Sequence, residues 1–118
     1  MREKPSPPYK VLIVDDSAVV RQTLKQIYSS DPELEVIGTA PDALIALRML
    51  GESRPDVISL DVQMPRMDGL TFLERLMKSN PMPVVMVSAL TTQGSKEALR
   101  SLELGAVDIV EKPKLGVR

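Results

Sequence analysis

Short apolar runs alternate with helical patterns along almost the whole of this 118-residue chain. KVLIVDD (10–16) is apolar without alternation, as expected of a strand buried on both faces. After Ser17, a helix-capping residue type, Val20, Leu24 and Ile27 recur at helical spacing until Asp31-Pro32 stops the pattern. EVIGTA (35–40), DVISLD (56–61), PVVMVS (83–88) and VDIVEKP (107–113) supply four further strands. Between them lie a helix opened by Pro41-Asp42, with Ala43, Leu44, Leu47 and Leu50 on one face, and a helix opened by Asp68-Gly69, with Leu70, Leu73, Leu76 and Met77 inward. A last helix near 94–104 carries Ala98, Leu99 and Leu102. Strand–helix alternation of this kind predicts an α/β fold, a doubly wound parallel sheet with helices on both faces. Residues 1–8, MREKPSPP, read as a polar Pro-rich leader before a single domain over 9–118.

Composition narrows the chemistry. The chain has no His and no Cys, which removes Ser/His/Asp and Cys/His catalysis, most zinc sites and a disulfide framework. None of its six Gly stands in a dinucleotide or P-loop arrangement. Net charge is −1 with scattered basic residues, so no nucleic-acid or anionic-membrane surface is indicated. No apolar run is long enough for a membrane span or a signal peptide, and a cytoplasmic protein is expected.

The carboxyl ends of the predicted strands hold the polar residues. Asp15-Asp16 follow the first, Asp61 ends the third, Ser88 ends the fourth, and Lys112-Pro113 follow the fifth. Ligands of open parallel sheets bind along that edge. Taken singly, these residues read as turns, caps or solvated side chains; together they place three carboxylates, a hydroxyl and a lysine in one crevice. Crowded carboxylates repel unless a cation neutralises them, and oxygen ligands favour Mg²⁺. Asp15, Asp16 and Asp61 are the candidate metal ligands, joined by the backbone carbonyl of Gln63. Asp61 is the candidate nucleophile toward phosphorus, with Lys112 and Ser88 facing the phosphoryl oxygens.

These segments resemble a known family. VLIVDDSAVVR, DVISLDVQMPRMDG, VVMVSAL and AVDIVEKP look like the signature stretches of response-regulator receiver domains of two-component signalling, covering residues 10–113. The resemblance implies a flavodoxin-like five-stranded sheet of order 2-1-3-4-5, a histidine kinase as phosphodonor and Asp61 as phosphoacceptor. It also implies a switch hydroxyl at Ser88, a lysine role for Lys112 and a cis Lys112–Pro113 peptide. Over its length the chain is most similar to the receiver of the chemotaxis protein-glutamate methylesterase family (CheB), where a receiver restrains an attached C-terminal hydrolase.

Two positions depart from the pattern. Ile109 stands where receivers carry a switching Phe or Tyr, so the signal is expected to leave through the loop 89–95. KLGVR (114–118) is too short for a fifth helix. Without that helix, Val107 or Ile109 would lie uncovered, and self-association of the chain is expected. The alternatives are a stand-alone phosphorylation-dependent binding switch, an unphosphorylated pseudo-receiver and a small-substrate phosphatase.

Overall fold

A computed structural model describes residues 5–89 and 95–113. The element order is β1 (Tyr9–Val14), α1 (Ala18–Ser29), β2 (Leu34–Ala40), α2 (Ala43–Leu50), β3 (Val57–Asp61), α3 (Gly69–Ser79), β4 (Val84–Ser88), α4 (Lys96–Glu103) and β5 (Asp108–Glu111). The strands form one parallel sheet in the order β2-β1-β3-β4-β5, as the family resemblance implied.

Alternation along the central strands divides the core in two. Leu12 and Val14 of β1, with Ile58 and Leu60 of β3, face α2 and α3, where they meet Ala43, Ala46, Phe72, Leu73 and Leu76. Val11 and Ile13 point the other way, onto Val20 and Leu24 of α1. Burying one such aliphatic side chain is worth about 1.5–3 kcal/mol, so these runs fix which strands are central. Ser59, buried in β3 on the α1 side, shares a 2.8 Å hydrogen bond with the Tyr28 hydroxyl, which meets the cost of burying it.

Each helix begins on a side-chain cap. Ser17, Asp42, Asp68 and Ser95 accept from the amides of Val20, Ile45, Thr71 and Ala98. Each cap satisfies a first-turn amide that would otherwise lack an intrahelical partner.

The inward faces of two short helices differ from the expectation. In α2 the residues on the sheet are Ala43 and Ala46, while Leu44 and Leu47 are 55% and 46% exposed. In α4 the buried pair is Ala98 and Ser101, and Leu99 and Leu102 face outward. Each helix is turned by one residue, about 100°, from the face that side-chain size suggested. Small side chains let a helix axis approach the sheet, and in eight residues two such faces fit the apolar pattern equally well. Ile27 is likewise exposed, with Tyr28 packed inward beside it.

At the β5 edge Val107 is 64% exposed, as expected, whereas Ile109 is half-buried against the main core. The Lys112–Pro113 bond is not cis; among the described residues the cis bond is Pro7–Pro8. The trans form is the lower-energy isomer of an X–Pro bond. Parts of the expectations for the loop 89–95 and for the tail 114–118 lie outside the described residues.

Candidate phosphorylation site

Strand pairing carries four polar residues to one edge. Asp15 directly follows β1, its amide bonded to the Ala40 carbonyl at 3.0 Å. Asp61 is the last residue of β3, beside Val87 of β4. Ser88 ends β4, and the Lys112 amide donates to its carbonyl at 2.8 Å, extending the β4–β5 ladder by one rung. The ladder places Lys112 over the acids.

Lys112 bridges two buried carboxylates. Its Nζ lies 3.2 Å from Asp15 Oδ2 and 3.3 Å from Asp61 Oδ1. Asp15 and Asp61 are almost wholly buried, whereas Asp16 is exposed. One oxygen of each buried acid is anchored by backbone: Asp15 Oδ1 accepts from Ser17 N at 2.9 Å and Asp61 Oδ1 from Gln63 N at 3.3 Å. The partner of Asp15 Oδ2 is the Lys112 ammonium, and Asp61 Oδ2 accepts no hydrogen bond among the described residues.

Burial, and then the Asp15 charge, push the Asp61 carboxyl up to about 6, against the opposing pull of Lys112. Burial also pulls the Lys112 ammonium down, but the carboxylates of Asp15 and Asp61 more than offset it, so its net shift is upward. Asp61 is therefore poised near neutrality, and a nearby cation favours its ionised, nucleophilic form.

Oxygens of Asp15, Asp16 and Asp61 come within 4.8 Å of one another, close enough to share an ion. Three carboxylates, two of them buried and one of those with an oxygen that accepts no hydrogen bond, fit a hard cation such as Mg²⁺. A cleft of about 440 Å³ opens beside them, lined by Asp16, Asp61, Gln63, Ser88 and Lys112 among others. Asp16, Asp61, Gln63, Ser88 and Lys112 thus line one crevice, and buried Asp15 joins them through Lys112.

Other contributors escaped the sequence. Met64, Pro65 and Ala89 complete the cleft wall. The Arg21 guanidinium donates to the Asp15 carbonyl at 2.7 Å, tying α1 to the acidic corner. Gly69 abuts the Asp61 carbonyl so closely that a Cβ there would overlap it. Its only sequence signal was a glycine at a helix start, which does not report what lies against it.

A parallel five-stranded sheet with paired acids after β1, an acid ending β3 and a lysine after β5 defines a doubly wound α/β domain with an acidic crevice at the carboxyl edge of its sheet. Residues 11–115 match the response regulator receiver domain, and the chain belongs to that family. It is similar to protein-glutamate methylesterase/protein-glutamine glutaminase 2 of Pseudomonas aeruginosa, 59% identical over 110 residues, covering 93% of this chain and 32% of that protein. The chain therefore spans about a third of the length of that relative. Among solved structures it resembles the response regulator domain of Thermotoga maritima CheB, with TM-score 0.84, 42% identity, and coverage of 93% and 82% of the two chains. It also resembles a chain in the complex of the P1 domain of CheA3 with CheY6 from R. sphaeroides, with TM-score 0.81, 36% identity, and coverage of 94% and 87%. The chain is thus a receiver domain similar to that of CheB.

Proposed function

We propose that this receiver accepts a phosphoryl group on Asp61 from a chemotaxis-type histidine kinase, with Mg²⁺ as cofactor. The phosphorylation regulates a protein-glutamate methylesterase attached after the receiver. The observation that carries the reading is the pairing of buried Asp15 and Asp61 by one lysine, with Asp61 Oδ2 accepting no hydrogen bond. A structural ion pair would satisfy both oxygens; this arrangement leaves one for chemistry.

Asp15, Asp16 and Asp61 would hold the ion, together with the Gln63 carbonyl. When bound, Mg²⁺ supplies charge neutralisation for the transferring group. Asp61 attacks phosphorus: an O–P bond forms as the P–N bond to the donor imidazole breaks, and the electron pair of that bond stays on the imidazole nitrogen. Lys112, held by Asp15, faces the negative phosphoryl oxygens, and the Ser88 hydroxyl donates to another. The kinase assignment draws support from the R. sphaeroides complex, in which a CheY is bound to a CheA domain. The methylesterase assignment draws support from the P. aeruginosa relative, a methylesterase about three times the length of this chain.

The test is intact-mass analysis after acetyl phosphate and MgCl₂. Wild type is expected to gain one phosphoryl group and Asp61→Asn none; equal labelling of the variant would put the acceptor elsewhere. Calorimetric titration of Asp16→Asn with MgCl₂ should show weakened binding, and an unchanged Kd would remove Asp16 from the ligand set. The methylesterase arm is checked by reading the coding sequence past codon 118, where an open frame encoding a hydrolase is expected and a stop codon would refute it.

A further inference from the structure

Arg66, five positions past Asp61, has φ 69° and is the positive-φ residue other than glycine among those described. The amide of Met67 donates to the carbonyl of Pro65 at 2.7 Å, closing a three-residue turn around Arg66. Turns of this form with a positive central φ are rare and strained, and an L side chain persists there only when its surroundings hold it. A contact reaches it from another part of the chain. Arg66 Nη2, on a side chain 69% exposed, lies 3.3 Å from Oδ2 of Asp42, whose side chain is 14% exposed. The other Asp42 oxygen caps α2, accepting from Ile45 N at 2.9 Å. That amide and the Arg66 guanidinium both keep the Asp42 carboxyl below the usual carboxylate range.

One carboxylate thus fastens the start of α2 to the strained turn. Between Arg66 and Asp61 lie Val62, Gln63, Met64 and Pro65, and the last three wall the cleft. Backbone held at one end by β3 and at the other by this pair has little freedom left, so the Gln63 carbonyl is presented in a fixed place. Release of the Arg66 end would free the turn to relax toward negative φ, dragging that wall with it.

We propose that Asp42 and Arg66 form a clasp that positions the β3–α3 loop for metal binding at the Asp15, Asp16, Asp61 cluster. Both are positioning residues, and the inference rests on the metal-dependent reading of that site.

The sign of one effect decides the matter. Simple electrostatics says that removing a cation near an acidic metal site tightens Mg²⁺ binding. The clasp says that removing Arg66 loosens it. Arg66→Gly suits a positive φ, and Asp42→Asn keeps a good helix cap, so both variants should fold. Calorimetric titration of the whole chain with MgCl₂ is expected to give Arg66→Gly a Kd about fivefold weaker than wild type, the upper range for an exposed ion pair. Asp42→Asn should weaken binding to a similar extent, the double variant no further, and Arg66→Lys should bind nearly as wild type. Tighter or unchanged binding by Arg66→Gly overturns the clasp, as do additive effects in the double variant or a lowered Tm with unaltered Kd. Phosphoryl labelling measured in parallel separates the two failures. Absence of label on wild-type Asp61 counts against the phosphoacceptor reading, whereas normal labelling with Arg66→Gly unaffected in Mg²⁺ binding counts against the clasp alone.

Discussion

Asp61→Asn is expected to be more stable than wild type at pH 7 in metal-free buffer, by on the order of 2 kcal/mol, with Tm higher by about 5–10 °C. Burial and the neighbouring Asp15 charge raise the folded Asp61 carboxyl to about 6 from the ordinary 3.8. The folded state therefore holds a proton that the unfolded state has already released. For such an acid the stabilising contribution is present at low pH and is lost as pH rises from about 4 to about 6. The Asn variant has nothing to ionise there, so the stability gap between the two proteins should open across that window and level off above it. Added Mg²⁺ should narrow the gap by stabilising wild type through binding. Urea unfolding at several pH values, with EDTA and then with MgCl₂, measures both effects. Parallel curves from pH 4 to pH 7 would show that Asp61 ionises at no cost, contrary to its burial beside Asp15.

Gly69→Ala is expected to destabilise the fold by about 3 kcal/mol, the upper part of the usual cost of overpacking. Two effects oppose one another. Ala is favoured over Gly within a helix by about 1 kcal/mol, and position 69 is the first residue of α3. Against that, the new Cβ would overlap the Asp61 carbonyl oxygen and crowd the Val62 Cα. These are backbone atoms at the end of a central strand, so no side chain can swing aside to make room. The overlap wins, and its relief must displace α3 or the strand end that carries Asp61. Loss of stability should therefore be accompanied by loss of phosphoryl labelling. Gly51→Ala is the control: its backbone is already helical, and a Cβ there would approach the Arg48 carbonyl at 3.3 Å, so the change should lie within about 0.5 kcal/mol. A stable, labelled Gly69→Ala protein would show that the α3–β3 contact yields more easily than backbone packing allows.

Local pattern determined much of this protein. The apolar runs at 11–14 and 84–87, and the run at 57–60 broken only by Ser59, specify strands buried on both faces, because no other placement removes so many aliphatic side chains from water. The caps Ser17, Asp42 and Asp68 mark where three helices begin, because each acts on an amide three residues away. Given parallel strands, the same pattern brings Asp15, Asp61, Ser88 and Lys112 to one edge, since strand ends converge whatever the loops do. What the sequence left open depends on contacts between distant segments. Only packing chose Ala43 and Ala46 over Leu44 and Leu47 as the inward face of α2, because closeness of approach to the sheet outweighed side-chain size. Only the ladder from β4 to Lys112 set one ammonium between two carboxylates, with Asp61 raised to about 6 and one of its oxygens accepting no hydrogen bond. The pairing of Asp42 with Arg66, 24 residues apart, and the seating of Gly69 on the Asp61 carbonyl are of the same kind. Spacing along a chain encodes periodicity and capping, whereas distances between side chains exist only once the chain is folded.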